Sequence, residues 1–91
     1  MYHIKRILWE CSDICIMNIK QIVGDNIRFI RQKRNISQEG LALDVRMSRA
    51  YVGEVERAEK TISIERLTRL AAILEVEPGV LFISEYYKTL K

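Results

Sequence analysis

The chain has 91 residues, of which 48% are hydrophobic and 30% are charged. This length suits a single domain with one core, and the balance excludes an intrinsically disordered chain. The formal net charge of +3 favours an anionic partner only weakly, because acidic and basic residues are interspersed. Two cysteines are too few for a disulfide framework, and no run approaches the roughly 18 apolar residues that span a bilayer. We therefore expect a cytoplasmic protein with no membrane partner.

The first 17 residues are expected to form an N-terminal extension (1–17) to a domain at residues 18–91. Apolar side chains recur in the extension at helical spacing: Ile4, Ile7, Leu8, Cys11, Ile14 and Cys15. One interpretation is a helix that packs over Phe29 or against a second subunit. The alternative is that translation begins at Met17, which would leave the extension outside the native protein. The N-terminal sequence of the protein from its native host distinguishes the two.

The segment Gln21–Arg34 has the apolar spacing of an amphipathic helix, helix 1. Val23, Ile27 and Ile30 follow one another at intervals of four and three residues, which places them on one stripe. The other faces carry four basic residues: Arg28, Arg31, Lys33 and Arg34. Asn35 suits the left-handed geometry that ends a helix, so we expect helix 1 to stop there.

Two short helices follow, joined by a three-residue turn. Ser37 is a good N-cap for helix 2 over about Gln38–Val45, and Ser48 is a good N-cap for helix 3 over Arg49–Arg57. Two short helices joined so closely cannot bury their apolar faces alone, and they cross steeply. We therefore expect helix 3 to be held out from the body of the domain, with the face opposite its valines available to a partner.

A fourth, more regular helix begins after Ser63 and runs to about Glu75. Its apolar residues repeat with helical spacing: Ile64, Leu67, Leu70, Ala71 and Leu74. Pro78 suits the first position of a short fifth helix that reaches Phe82. No segment shows sustained period-two alternation, so we predict no sheet. The fold class is therefore all-α, with five helices and an additional N-terminal helix if the extension folds.

The C-terminal segment carries more apolar side chains than a small core needs. They are Val80, Leu81, Phe82, Tyr86, Tyr87 and Leu90. Because an exposed apolar patch usually marks an interface, we predict a homodimer whose interface contains Leu81, Phe82, Tyr86 and Tyr87. The other interpretation is that these residues close the core of the monomer, and we expect it to hold for Leu81 and partly for Phe82.

The segment SQEGLALDVRMSRAYVGEVERAEKTISIERLTRLAAILEVEPGVLF resembles the phage Cro and CI-type (XRE-like) repressor domain. Its serine, glutamine, leucine and tyrosine positions fall at the spacings of that family over about residues 22–82. The resemblance implies a five-helix helix-turn-helix regulator of transcription that binds a palindromic operator as a homodimer. Within the family, the run RAYVGEVER looks most like restriction-modification controller proteins, which bind their own promoters. Small phage or conjugative-element repressors and antitoxin autoregulators share the same domain.

The resemblance also implies roles for single residues. Arg49, Ala50 and Glu54 match positions that face base edges, and Arg49 is the first choice because arginine can bond guanine O6 and N7 together. We predict phosphate contacts from five residues: Gln38, Arg46, Ser48, Tyr51 and Arg57. Glu56 matches an acidic residue that pairs with an arginine of helix 1, here Arg31, in a structural ion pair.

Three positions depart from the family pattern. Arg46 stands in the turn where the family usually has a glycine with positive φ, so we expect that turn to be strained or differently shaped. Ala58 replaces another frequent glycine after the Glu-Arg pair. Gly40 lies inside helix 2, where a better helix former is common and glycine costs about 1 kcal/mol.

Other classes of protein fit the sequence less well. His3 is the sole histidine and lies in the extension, so no Ser/His/Asp arrangement is available. We therefore expect that the protein is not an enzyme and has no small-molecule substrate. Cys11 and Cys15 could supply two metal ligands, but a structural zinc site needs four, so we expect no metal and no cofactor. The alternative is an antitoxin-type interaction module in which DNA binding is secondary, and the neighbouring reading frame discriminates it from a controller protein.

Overall fold

The computed structural model describes residues 12–90, with side chains described from residue 19 onward. The elements are α1 at Ser12–Lys33, α2 at Gln38–Val45, α3 at Arg49–Glu56, α4 at Ile64–Leu74, and two 3₁₀ helices at Pro78–Phe82 and Tyr86–Thr89. This part of the chain contains no strand, which confirms the prediction of an all-α protein. The predicted helix in the extension lies, for residues 1–11, outside the described residues.

The first helix is longer than its prediction. It begins at Ser12 instead of Gln21, so it passes without a break through the expected boundary between residues 17 and 18. Its buried stripe is the predicted one, because Val23, Ile27 and Ile30 are at most 5% exposed. Ile19, one turn earlier, is 46% exposed. Helix α1 therefore packs on the domain from about Val23 onward.

Serine caps set the starts of the three following helices. The hydroxyl oxygens of Ser37, Ser48 and Ser63 each accept a hydrogen bond, 2.9 to 3.2 Å long, from the backbone amide three residues further on. Such a cap contributes about 1 kcal/mol, because it satisfies an amide that has no partner inside the helix. The predicted starts of α2, α3 and α4 are confirmed.

The ends of the helices use left-handed residues that are not glycine. Arg46, between α2 and α3, has φ 59° and ψ 47°, and Ala58, after α3, has φ 63°. Arg46 thus has the positive φ that the resemblance implies for a glycine in this turn. Replacing that glycine with arginine therefore strains the backbone at residue 46. A side chain in this region costs about 1 to 2 kcal/mol at each position.

One hydrophobic core joins all four α-helices to the first 3₁₀ helix. It contains Val23, Ile27, Ile30, Leu41, Ala42, Val45, Val52, Val55, Leu67, Leu70, Ala71, Leu74 and Leu81. One prediction is corrected here, because the fifth helix is a five-residue 3₁₀ helix, Pro78–Phe82. Leu81 is fully buried in this core, which is the place that the second interpretation of the C-terminal segment expects for it.

A buried asparagine fixes the C-terminal segment on α1. The Asn26 side chain is fully buried, and its amide nitrogen donates to the carbonyl oxygens of Leu81 at 3.0 Å and Ile83 at 2.8 Å. Its amide oxygen accepts from the backbone nitrogen of Tyr87 at 3.1 Å. Because these three bonds satisfy backbone groups of both 3₁₀ helices and of the residues between them, Asn26 fixes where the C-terminal segment lies on α1.

Candidate nucleic-acid interface

Helix α3 presents one face to the core and the other to solvent. Val52 and Val55 are buried, whereas Arg49 and Ala50 are exposed at its first turn and Glu54 is half-buried. The Arg49 side chain is 65% exposed. The face predicted to meet DNA is therefore accessible, and Arg49 lies at the end of α3 that follows the turn.

A buried polar network holds α3 against α1 and α2. Glu56 is 2% exposed and accepts from Arg31 Nε at 2.7 Å and from Arg31 Nη2 at 3.1 Å. The amide nitrogen of Gln38 donates to the same carboxylate at 2.9 Å. Arg31 Nη1 also bonds the carbonyl oxygen of Ile36 at 3.0 Å, in the loop before α2. The network joins three helices and gives Gln38 a bracing contact at the start of α2.

The sequence analysis did not single out Gly24, which lies where α1 crosses the end of α3. A Cβ atom at this position would lie 2.7 Å from the carbonyl oxygens of Val55 and Glu56. Real Cβ atoms do not approach backbone that closely, so α3 can take its position only because residue 24 has no side chain. A glycine on the polar border of a helix stripe is the signal that could have found it.

Five residues surround an open depression of about 240 Å³ on the solvent side of α3. They are Gln38, Arg49, Ala50, Gly53 and Arg57. Four of the five were predicted to contact bases or phosphates. The fold therefore brings the start of α2 and both ends of α3 to one surface.

Carboxylates accompany the two arginines of this surface. Arg49 Nε lies 3.8 Å from a carboxylate oxygen of Glu39, and both side chains are exposed. Arg57 donates from Nε at 3.0 Å and from Nη2 at 3.2 Å to the two oxygens of Glu59. These hydrogen bonds, more than the opposite charge, lower the pKa of Glu59 and raise the pKa of Arg57. The sequence analysis identified neither glutamate.

The other residues predicted to contact phosphates are Ser48, Tyr51 and Arg46, and none of them lines this depression. Ser48 caps α3, and the Tyr51 ring is half-buried with the guanidinium carbon of Arg66 5.0 Å from its centroid. Arg46 is exposed in the left-handed turn between α2 and α3.

An apolar groove lies elsewhere on the protein, between α1, α4 and the first 3₁₀ helix. Its enclosed volume is about 80 Å³, and Val23, Val55 and Leu67 contribute to its lining. Its rim includes Ile64 and Phe82, which are 81% and 49% exposed, together with the half-exposed Ile19. Ile83, next to Phe82, is 52% exposed.

The described residues offer neither a metal site nor a membrane-spanning helix. Within residues 12–90, no three His, Cys, Asp or Glu side chains come together in a way that could hold a metal ion. None of the helices in the same part of the chain is long and apolar enough to cross a membrane. Cys11 and the side chain of Cys15, the two potential metal ligands in the sequence, lie outside the described part.

Comparison with known proteins places these features in a family. The family model described as Helix-turn-helix matches residues 27–81. The chain is 43% identical over 63 residues to the control protein C.SmaI of Serratia marcescens, covering 69% of this chain and 75% of that protein. It is 34% identical over 62 residues to the control protein C.BamHI of Bacillus amyloliquefaciens, covering 67% and 76%.

A solved structure agrees with these relatives. The crystal structure of the restriction-modification controller protein C.AhdI from Aeromonas hydrophila is similar to this fold, with a TM-score of 0.67 and 36% sequence identity. The match covers 69% of this chain and 96% of that chain. The chain therefore belongs to the XRE-type helix-turn-helix family of DNA-binding transcription regulators, and its close relatives are restriction-modification controller proteins.

Proposed function

We propose that the protein is a sequence-specific regulator that binds a palindromic operator as a homodimer and controls its own operon. The observation that carries the proposal is the solvent-exposed face of α3, which presents Arg49 and Ala50 while a buried network fixes the helix from behind. A helix of this width fits the major groove, where each base pair shows a distinct pattern of donors and acceptors.

Arg49, Ala50 and Glu54 are the residues proposed to read bases. Arg49 is long, exposed and at the first turn of α3, so it can bond guanine O6 and N7, worth about 1 to 3 kcal/mol of discrimination. Ala50 can contact a thymine methyl group. Glu54 can accept from cytosine N4 and repels a base that presents acceptors there.

The proposed phosphate contacts surround this readout. Gln38 and Ser48 lie at the N-terminal ends of α2 and α3, where free amides and the helix dipole favour an anion. Arg46 lies in the turn between those ends, and Tyr51 is in the first turn of α3. These contacts orient the protein on the duplex and carry no sequence information themselves.

The proposed dimer uses the apolar groove and its rim. Phe82, Ile83 and Ile64 expose large apolar side chains next to one another, and such a patch is costly to leave in water. A second copy across a two-fold axis would cover it and would place two α3 helices about 34 Å apart, in successive major grooves. Tyr86 and Tyr87 are half-buried against the core, so only part of each side chain is available to a partner.

The test is binding to the DNA immediately upstream of the gene. We expect nanomolar binding to one palindromic site, with an affinity that falls steeply with salt because each phosphate contact releases counterions. Arg49→Ala should weaken specific binding roughly 5- to 150-fold and flatten the preference at one base of each half-site. Arg69→Ala, an exposed arginine paired with Glu65 on α4, is the matched control. An Arg49→Ala protein with unchanged affinity and preference would show the proposal to be wrong.

A further inference from the structure

A second arginine reaches the exposed face of α3 from its far end. Arg57 directly follows the helix, one helical turn after Gly53, and helical side chains lean towards the N-terminus. Its guanidinium accordingly lies back over the helix and lines the same depression as Arg49 and Ala50. It does not extend away from α3 towards a flanking phosphate.

Gly53 provides the space for that guanidinium. A Cβ atom at residue 53 would lie 3.0 Å from Nη1 and 3.8 Å from the Cζ of Arg57, and 3.8 Å from the amide nitrogen of Gln38. Gly53 is buried although it is on the outer side of α3, because these two side chains cover it. A larger residue at this position would push the Arg57 guanidinium off the helix.

Glu59 fixes the orientation of the same guanidinium. It accepts from Nε and Nη2, which occupies one edge of the planar group. Nη1 takes part in neither bond, and Nη2 has a second hydrogen. The edge formed by Nη1 and Nη2 therefore keeps two parallel donors, which is the arrangement that bonds guanine O6 and N7 together.

We propose that Arg57 is a second base-reading arginine, positioned by Glu59 and by the absence of a side chain at Gly53. The inference rests on the proposed function and changes the role of Arg57 from a phosphate contact to a determinant of specificity. Arg49 and Arg57 are eight residues apart, and the Arg57 guanidinium lies back over Gly53, four residues after Arg49. A distance of four to eight helical residues corresponds to about 6 to 12 Å along the helix axis. Each half-site should therefore contain a second required guanine, about two to four base pairs from the one that Arg49 reads.

Arg57→Lys separates the two roles, because lysine keeps the charge but cannot form the planar two-donor contact. Sites are first selected from random DNA with the unchanged protein, and affinities are then measured for the selected site and for each single-base replacement. We expect replacement of the second guanine to weaken the unchanged protein roughly 5- to 150-fold. For Arg57→Lys that ratio should fall towards one, while the preference at the Arg49 base remains.

Glu59→Gln tests the positioning of Arg57 without removing it. We expect the ratio at the second guanine to fall several-fold while binding to random DNA stays equal or increases, since a negative charge has left the surface. Glu65→Gln, which breaks the exposed ion pair with Arg69 on α4, should change neither quantity. Circular dichroism melting curves should be alike for all variants, because these side chains are more than 45% exposed.

The outcomes separate this inference from the proposed function. If Arg57→Lys weakens binding to all sequences equally, or changes nothing, Arg57 contacts phosphate or solvent, and the inference is overturned while the Arg49 readout stands. If Glu59→Gln leaves the ratio unchanged, Glu59 does not position Arg57. If the unchanged protein selects no sequence from random DNA, the proposed function fails, and the inference fails with it.

Discussion

Glu56 shows how a single buried charge can matter for position more than for stability. Its carboxylate is bonded by Arg31 and Gln38 from two other helices. A buried ion pair gains little over well-packed apolar residues, because both charges lose their hydration. The network is directional, however, and it allows one arrangement of α1, α2 and α3.

Removing one partner of this network should be costly. Glu56→Ala leaves the Arg31 guanidinium, which is 9% exposed, without a counter-charge. We expect the free energy of unfolding, measured with urea, to fall by about 3 to 5 kcal/mol. Glu65→Ala, which breaks an exposed pair on α4, should cost less than about 1 kcal/mol. Equal losses for the two variants would contradict the structural role of Glu56.

Ala58 offers a prediction of the opposite sign. Its φ of 63° is left-handed, a region in which an L side chain is strained and glycine is not. Ala58→Gly should therefore raise the free energy of unfolding by several tenths to about 1 kcal/mol. Ala72→Gly is the matched control, because residue 72 is exposed inside α4, and there glycine should cost about 1 kcal/mol. A loss of stability at both positions would rule out strain at Ala58.

At the scale of elements, the contact between α1 and α3 depends on Gly24. Gly24→Ala would place a methyl group 2.7 Å from two backbone carbonyl oxygens at the end of α3. Because backbone cannot move aside cheaply, we expect α3 to shift and the free energy of unfolding to fall by about 1 to 3 kcal/mol. Operator affinity should fall as well, since α3 would meet the groove at a changed angle.

The matched control for that prediction is Gly79→Ala. No atom lies within 4 Å of the position that a Cβ would take at Gly79, and the residue is exposed in the first 3₁₀ helix. Urea unfolding and a DNA titration on both variants should separate them clearly. A Gly24→Ala protein that folds and binds like the Gly79→Ala protein would show that α1 and α3 are not in close contact.

The elements that the sequence predicts well are those with local signals. Ser37, Ser48 and Ser63 each precede an apolar stripe of helical period, and both signals depend on residues within one or two turns. The predicted start of α1 at Gln21 is too late, because residues 1–17 were treated as a separate extension. Helical spacing continues upstream of Gln21, and no residue between the two segments stops a helix. The fifth helix was predicted from Pro78, which signals the start of a helix but does not distinguish an α-helix from the 3₁₀ helix that the structure has there.

Single residues with distant partners gave no such signal. Asn26 is a polar residue beside an apolar stripe, and its bonds reach 55 to 61 residues along the chain. Gly24 likewise takes its role from another element, because the backbone that it contacts belongs to Val55 and Glu56 of α3. The resemblance predicts which face of α3 meets DNA, whereas the contacts that orient α3 required coordinates.

At the scale of the whole molecule, Asn26 connects the two surfaces that the proposed regulator needs. Helix α1 carries both Arg31, which fixes α3, and Asn26, which fixes the segment containing Phe82. The proposed dimer surface and the readout face are therefore held by one rigid helix, five residues apart on it. The spacing of the two α3 helices in a dimer would then be a property of the fold, and it would match one spacing of operator half-sites.

The proposed dimer predicts a specific effect of charge at Phe82. Phe82→Glu would place a carboxylate on the rim of the groove, where burial against a second copy would cost its hydration. We expect sedimentation to show a dimer for the unchanged protein and a monomer for the variant at the same concentration, with the helical circular dichroism signal unchanged because Phe82 is 49% exposed. The variant should still bind a single half-site weakly, and it should lose the steep concentration dependence of binding to a palindrome.

The control for sedimentation is Leu43→Glu. Leu43 is an apolar residue of α2 that is 79% exposed and does not line the groove. A Phe82→Glu protein that remains dimeric would place the interface elsewhere on the surface.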